Sequence, residues 1–508
     1  MSYFDPQSDP TLVSPPPPEP PRPQVSGWWI AVAVIIIISL LGTSLASVVW
    51  LFSLRENRPP TPTPTLNMDE AAVPIPTPTP ISSAANDEAT NEPVGIDTAT
   101  SPLNTSIPTR DPANIINRIA YIDNDGQIVT ITPDGRNSQI LTADSNVFRF
   151  PAWSPDGQQI AAVGTSSLGS GIFVTNAAAE IEKPEQLYFS RRRAPFYLYW
   201  APNSQTISFL ANDTTGMALH LVPADGSDES EPRTTGGPLY WQWTADSQHM
   251  FIHSGFSGGD ARLELIEAAG DEAGDPIATP GYFQAPGISA DGRYLAYAEE
   301  NGNENSQVII ADSSSGRSQE NQHSGLSALS LNPTGNLLAY ISPDKPEAAD
   351  FYGPLRTMDS ETGEINTLSR ENVTAFFWSP DGRSIAAFVP AFSSGSEINA
   401  SLLPSKTDRI NGKAAVQGNL PGLKLIIFDT TSGEGKLLLT FTPTLSFLTQ
   451  MMPFFDQYAL SHRIWSPDSD ALVMPILEDG RSHIYIIPTD GRQKQFLAEG
   501  SMAFWSQQ

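Results

Sequence analysis

Two short segments of this 508-residue chain have residue types and spacing that could support chemistry. Gly255-Phe-Ser-Gly-Gly259 matches the Gly-x-Ser-x-Gly pattern of serine nucleophiles, but that pattern works on a strand-to-helix turn. Strands are predicted on both sides here, which favours a glycine-rich hairpin loop. Asp123-Asn-Asp-Gly126 is similar to the start of a calcium loop, yet it turns back after four residues, whereas an EF-hand loop needs twelve and a final Glu. Neither segment predicts a reactive or metal-binding site.

The remaining acids and bases also lack the spacing of a catalytic site. His249 and His253 lie four residues apart, which on a strand separates them by about 13 Å, too far to share a metal. With no cysteine, the chain has neither a thiolate nucleophile nor a cysteine-based metal site. We therefore predict no catalytic residue, no metal and no cofactor. Five aspartates recur at one place in a repeated turn, and we predict that they cap it: Asp156, Asp246, Asp291, Asp381 and Asp468.

That repeated turn has the form Trp-Ser-Pro-Asp-Gly and is the strongest signal in the chain. Its leading apolar residue recurs from position 153 in steps of 47, 43, 45, 43, 47, 87 and 40 residues, ending at Trp505. Most of these steps have the length of one four-stranded propeller blade. Short apolar runs such as Ile160–Val163 follow each turn, bounded by Gly, Asp and Pro, and are typical of strands. We expect the tryptophans of the motif to pack between blades: Trp153, Trp200, Trp243, Trp378 and Trp465.

The ends of the chain determine the number of blades. Residues 119–142 carry the last three strands of a unit without its leading motif, and residues 502–506 carry only a first strand. If the two segments share a sheet, the fold is an all-β, eight-bladed propeller closed by its N- and C-terminal strands. A seven-bladed ring is the alternative. The 87-residue step is interpreted as one blade with an insertion.

The repeats resemble the WD40-like repeats of the TolB-type β-propeller family, whose signature is the Trp-Ser-Pro-Asp-Gly turn followed by an Ile-Ala strand. The resemblance covers about residues 115–508. The resemblance implies a propeller fold, but it does not indicate which substrate or ligand the propeller would bind. The chain differs from TolB itself in lacking an α/β domain before the propeller and in having more than six blades, so a role as the Tol-Pal component is not implied.

In a propeller, the long connections of this chain would emerge on one face and its short turns on the other. Long loops on a rigid scaffold are where binding residues concentrate. Arg191, Arg192 and Arg193 form a basic triplet that could clamp a carboxylate or phosphate. The predicted apolar contacts for a partner are Phe351, Tyr352, Met451, Met452, Phe454 and Phe455. Alternatively, the arginines are solvated and the Met and Phe residues fill the mouth of the channel.

Residues 27–54 contain no charged side chain and exceed the roughly 20 residues that a helix needs to span a membrane. We predict one transmembrane helix here, with a cleaved signal peptide as the alternative. Residues 1–26 are predicted to form a disordered Pro-rich tail, and residues 55–112 a Pro/Thr-rich disordered stalk that holds the propeller, residues 113–508, away from the surface. Arginine counts weakly favour a cytoplasmic propeller. The stalk and the family resemblance favour an extracytoplasmic one at the plasma membrane.

The charged-residue composition limits the classes of molecule that the protein can bind. A net charge of −28 argues against nucleic acid, whose binding needs lysines and arginines that neutralise phosphates. The sequence favours a non-catalytic, single-pass membrane protein whose propeller binds a protein or ligand at the cell envelope. One alternative is a propeller enzyme of the lyase or glycosidase type with a central-channel site, although first-strand residues such as Tyr199, Phe376 and Phe377 are predicted to be packed. The other is a structural or sensor subunit of an envelope complex.

Overall fold

The computed structural model describes residues 117–507 except 179–180, 182, 215, 256–260, 271–273, 301–305, 324, 344–352 and 392–421. The predicted tail, membrane helix and stalk therefore lie outside the described residues. In the part that is described, no helix has both the length and the apolar character of a membrane span.

The strands form eight antiparallel sheets in a ring, as the eight-bladed prediction required. Blades 1 to 4 are the sheets β4–β7, β8–β11, β12–β15 and β16–β19. Their strands are β4 (Val147–Trp153), β5 (Gln159–Ser166), β6 (Gly169–Asn176), β7 (Glu185–Ser190), β8 (Pro195–Trp200), β9 (Thr206–Asp213), β10 (Gly216–Pro223), β11 (Glu231–Gly236), β12 (Leu239–Trp243), β13 (His249–Ser254), β14 (Arg262–Glu267), β15 (Asp275–Ala278), β16 (Gly287–Ile288), β17 (Tyr294–Glu300), β18 (Ser306–Asp312) and β19 (Arg317–His323).

Blades 5 and 6 are regular, and blade 7 is reduced. Its sheet has three strands, because the segment at Trp465 pairs with that sheet through a single bridge, from Trp465 to Leu472. The 87-residue step is one blade with an insertion between its second and third strands, as predicted. The strands are β20 (Ala328–Leu331), β21 (Leu337–Ile341), β22 (Gly353–Asp359), β23 (Ile365–Val373), β24 (Ala375–Trp378), β25 (Ser384–Pro390), β26 (Leu423–Asp429), β27 (Gly435–Phe441), β28 (Ala471–Glu478), β29 (Arg481–Pro488) and β30 (Gln495–Glu499).

Blade 8 joins the two ends of the described chain. It consists of β31 (Met502–Trp505), β1 (Ile119–Ile122), β2 (Ile128–Ile131) and β3 (Gln139–Ile140). β31 pairs antiparallel with β1, so that Ile119 lies opposite Trp505 and Ile122 opposite Met502. All four residues of each strand are buried. The ring is therefore closed by strand exchange, which leaves only the outer strand of each blade as an edge.

The first strand of each blade lies nearest the channel, and the chain runs outward from it. The turns after first and third strands share one face, named here the turn face. The connections after second and fourth strands share the opposite one, the long-loop face. The connections at residues 191–194 and 442–464 belong to the long-loop face, as the sequence predicted from blade topology, whereas residues 344–352 and 392–421 lie outside the described residues.

The repeated motif joins neighbouring blades. The indole Nε1 of Trp200 donates to the Ala152 carbonyl in blade 1 at 3.0 Å, and that of Trp465 donates to the Phe377 carbonyl in blade 6 at 3.1 Å. In each turn the aspartate accepts a hydroxyl and a backbone N–H. Asp156, for example, accepts Ser154 Oγ at 2.6 Å and Gln158 N at 3.0 Å. These are local capping bonds of the turn.

Serines replace the turn glycine in three blades and add a second link. Ser204, Ser247 and Ser469 have φ between 61° and 65°, the left-handed region that favours glycine. The hydroxyl of each accepts a backbone N–H from the turn of the preceding blade, at 3.0 Å for Asp156 N and 3.1 Å for Asp381 N. The hydrogen bond thus offsets backbone strain.

This arrangement predicts an unusual order of substitution effects at Ser204. Ser204→Ala keeps the strained φ and loses the acceptor, so we expect the free energy of unfolding to fall by about 1 kcal/mol. Ser204→Gly loses the same bond but relieves the strain, so its cost should be smaller. Denaturant unfolding of both variants measures the order, and a larger loss for glycine than for alanine would contradict it.

Candidate binding face and the filled channel

The channel of the ring is filled by the connection between blades 6 and 7. This connection forms a π-helical turn (Phe447–Met451), a 3-10 turn (Met452–Phe454) and one short α-helix, α1 (Phe455–Ser461). α1 packs against the first strands β8, β12, β20 and β24 of four blades. The whole connection is joined to the ring at both ends, because Pro443 forms a β-bridge with Ile476 and Arg463 forms one with Trp505. We call residues 444–462 the plug.

Buried hydrogen bonds hold α1 in the channel. The amide Nε2 of Gln457 donates to the Trp241 carbonyl at 2.9 Å, and its Oε1 accepts Trp241 N at 2.9 Å. The hydroxyl of Tyr197 donates to the Gln457 carbonyl at 2.9 Å or to Ser461 Oγ at 2.7 Å. Because all four residues are buried, these bonds fix the rotation and depth of α1 against blades 2 and 3.

Aromatic contacts join the plug to further blades. Phe455 packs edge-on against Phe376 of blade 6, with ring centroids 5.0 Å apart. Tyr458 lies 5.5 Å from Phe150 of blade 1. His462 packs against Phe504 of blade 8 at 4.7 Å. The plug therefore contacts blades 1, 2, 3, 5, 6 and 8.

Most of the predicted apolar binding residues belong to this plug. Met451, Met452 and Phe455 are only 5%, 7% and 3% exposed. For these three the predicted partner patch is wrong, because packing inside the ring removes them from solvent, as in the alternative that they fill the channel mouth. Phe454 is half-buried. The predicted contacts Phe351 and Tyr352, and the serine of Gly255-Phe-Ser-Gly-Gly259, lie outside the described residues.

The basic triplet is exposed on the long-loop face, at the connection from β7 to β8. Ser190 Oγ accepts the backbone N–H of Arg193 at 2.9 Å, and the Tyr188 hydroxyl donates to the Arg193 carbonyl at 2.9 Å. The Arg193 guanidinium lies 3.2 Å from Asp213 of the next blade. The side chains of Arg191 and Arg192 have no such ion pair among the described residues. The loop thus presents two exposed guanidinium groups on an ordered backbone.

Sequence reasoning missed the polar residues of the plug. Asp456, Gln457 and His462 are all buried, and burial lowers the pKa of His462 to about 4. The signal was a polar pair, Asp-Gln, enclosed by the apolar residues Phe455 and Tyr458, a pattern that indicates buried polar contacts when the segment enters a core.

The first strands are packed as predicted, since Tyr199, Phe376 and Phe377 are buried. Among the described residues, no group of three or more His, Asp or Glu side chains is placed to hold a metal ion. The channel-site enzyme considered from the sequence would have to bind its substrate where α1 lies.

Comparisons with known proteins agree with the repeat pattern. No protein-family model matches the chain. The Tol-Pal system protein TolB of Anaeromyxobacter dehalogenans (strain 2CP-C) is 28% identical over 122 residues, which is 23% of this chain and 27% of that protein. TolB of Anaeromyxobacter sp. (strain K) is 27% identical over 121 residues, with the same shares. The chain thus spans about a quarter of the length of the curated relatives that it matches.

The chain also has a low similarity to solved structures. TolB from Acinetobacter baumannii is 16% identical, with a TM-score of 0.34, over 68% of this chain and 82% of that one. An oligogalacturonate lyase in complex with manganese is 13% identical, with a TM-score of 0.39, over 76% and 85%. Likenesses of this size support no activity. The repeats of the chain are thus similar to those of TolB-type proteins over part of their length, and they assemble into a ring of eight blades.

Proposed function

We propose that this protein is a non-catalytic propeller, anchored in the plasma membrane by residues 27–54, that binds a protein partner outside the membrane through its long-loop face. The observation that carries the proposal is the filled channel. The plug occupies the place where propeller enzymes would hold a substrate, and the exposed arginines lie on the face where the long connections emerge. The partial similarity to TolB, a Tol-Pal system protein by its name, is the likeness from which we infer an envelope location.

The binding groups on this face are the guanidiniums of Arg191 and Arg192. Each can pair with a carboxylate through two parallel hydrogen bonds, which gives both affinity and orientation. Arg193 is held by Asp213 and serves to position the loop. Leu168, which is 63% exposed in the connection between β5 and β6 of the same blade, adds an apolar contact beside them.

Site-specific photo-crosslinking in native membranes tests whether the partner binds to the long-loop face. A photoreactive residue replaces Leu168 on the long-loop face or, as control, the exposed Asp228 on the turn face of the full-length protein. We expect a discrete protein adduct from position 168 and none from 228. Arg191→Ala with Arg192→Ala should weaken the adduct at least several-fold. The matched control pair Arg136→Ala and Arg317→Ala, exposed on the turn face, should leave it unchanged.

Adducts of equal strength from both positions, or an adduct from 228 alone, would contradict the assignment of the face.

The membrane anchor is tested separately. The full chain should stay in the membrane after alkaline extraction, a chain without residues 27–54 should be released, and added protease should reach the propeller only from outside the cell. Release of the full chain by alkali would contradict the anchor.

A further inference from the structure

The plug contains a buried acid that no part of the proposed function uses. Asp456, in the first turn of α1, is 1% exposed. Its Oδ2 accepts the backbone N–H of Ala285 in blade 4 at 3.1 Å, and its Oδ1 accepts the N–H of Gln457 at 3.0 Å. It therefore links α1 to a blade that the Gln457 and Tyr197 bonds do not reach.

The groups that face Asp456 supply no positive charge. The titratable side chains on the neighbouring elements are Tyr197 and Tyr199 of β8, Tyr240 of β12 and His253 of β13. Burial raises the pKa of Tyr240 and lowers that of His253 to about 4, so both are neutral near pH 7. On its own segment the neighbours are Tyr458 and His462, and β20 and β24 contribute only apolar and hydroxyl side chains. An ionised Asp456 would thus be a buried charge without a counter-ion.

The plug can move without breaking a blade. Residues 444–462 belong to no sheet, and the segment is bounded by the bridges at Pro443 and Arg463. α1 has only seven residues and is held by the side-chain and backbone bonds given above. A short helix of this kind has little stability outside its site, so its position depends on those contacts.

We propose that α1 is a proton-sensitive plug: it is seated in the channel when Asp456 is protonated, and loss of that proton loosens it and opens the long-loop end of the channel. The cause is the cost of keeping an unpaired carboxylate out of water. Desolvation raises the pKa of Asp456 to about 7, which places the transition near neutrality.

Hydrogen–deuterium exchange of the full-length protein at pH 5.5 and 8.5 tests the plug. With a pKa of about 7 when seated and the ordinary value of 3.8 when released, Asp456 should raise the opening equilibrium of α1 roughly 30-fold across this interval, after correction for intrinsic exchange. His462, whose pKa returns from about 4 to the ordinary 6.5 when it is released with the plug, should lower it about tenfold, so we expect a net rise of about threefold. The amides of β9 serve as the internal reference. Asp456→Asn should remove the rise, so that opening of α1 no longer increases with pH and shows only the opposite response of His462. Asp312→Asn is the matched control, because Arg293 lies 2.8 Å from Asp312 and their hydrogen bond lowers the pKa of that acid.

The proposal is supported if α1 loses protection with rising pH while β9 does not, and if only Asp456→Asn removes this loss. It is overturned if α1 and β9 change in parallel, or if Asp456→Asn responds to pH as the wild type does. Should that variant fail to fold, the comparison of α1 with β9 in the wild-type protein decides.

Discussion

Replacing Gln457 by leucine should lower the free energy of unfolding by about 4 kcal/mol, although the two side chains are close in size. The amide of Gln457 makes hydrogen bonds to both the N–H and the carbonyl of Trp241, and leucine would leave these two buried groups without this partner. Each unsatisfied buried group costs about 1–3 kcal/mol. Chemical denaturation, followed by tryptophan fluorescence, measures the change.

Gln450→Leu is the matched control for that prediction. Gln450 lies in the same connection and is half-buried, but its side-chain oxygen has no hydrogen-bond partner among the described residues. Its replacement should change the free energy of unfolding by less than about 1 kcal/mol. Equal effects of the two variants would show that the amide of Gln457 does not hold α1 in the channel.

Acidification from pH 6.5 to 4 should destabilise the propeller by about 2 kcal/mol through the net effect of His253, His462 and Asp456. His220, whose pKa is also lowered by burial, adds to the loss in the same direction. Burial lowers the pKa of His253 and of His462 to about 4, below the ordinary 6.5. The folded state thus binds fewer protons than the unfolded one at these sites, so their contribution is complete above pH 6.5 and is lost as pH falls to 4. Each histidine contributes about 1.4 kcal/mol per pH unit in that interval.

Asp456 acts in the opposite direction within the same interval. Its pKa is raised to about 7, so the folded state holds a proton that the unfolded state has released, and stability increases as pH falls from 7 to 3.8. The two histidines act in one direction and the carboxyl in the other. The free energy of unfolding therefore falls by the contribution of about one group, roughly 1.4 kcal/mol for each unit by which the pH is lowered.

Single substitutions should change this slope in predictable ways. His462→Asn removes one of the buried histidines that oppose Asp456, so the loss of stability between pH 6.5 and 4.5 should become clearly smaller. Asp456→Asn leaves both histidines unopposed, so the slope should approximately double. The free energy of unfolding, measured by urea titration at several pH values, gives the slopes. Parallel slopes in all three proteins would contradict the assignment of these groups.

The repeat spacing predicted the blades because each unit must bury an apolar first strand behind a fixed turn. Trp200 and Trp465 lie where that periodicity requires. Closure was also predictable, since neither the segment at Ile119 nor the one at Phe504 can complete a sheet alone. Residues 1–116 lie outside the described residues, so the predictions made for them from the sequence stay predictions.

The plug was not predicted as a helix because nothing local requires one there. Residues 447–461 include Pro453 and consecutive aromatic residues, which favour no regular helix, and the segment gains its structure from contacts with several blades. The sequence shows that Met451 and Phe455 are apolar but not whether they face a partner or a channel. That difference depends on tertiary contacts between residues more than 200 positions apart, such as Tyr197 and Gln457.

The ring is closed only if β31 completes the sheet of β1. Ser506 N donates to the Arg118 carbonyl, so Arg118 and Ser506 form a hydrogen-bonded pair, and in the alternating pattern Tyr121 and Ala503 form a non-hydrogen-bonded one. Such pairs bring the side chains within reach of a disulfide. The chain has no native cysteine, so engineered cysteines have no other partner within the molecule.

The most direct measurement is therefore oxidation of the double variant Tyr121→Cys and Ala503→Cys, followed by peptide mapping without reductant. We predict a monomeric protein in which the peptides around positions 121 and 503 are disulfide-linked, whereas a control pair with Ala211→Cys of blade 2 in place of position 503 stays unlinked. Two free thiols in the folded Tyr121/Ala503 variant, or links only between molecules, would contradict the closed ring.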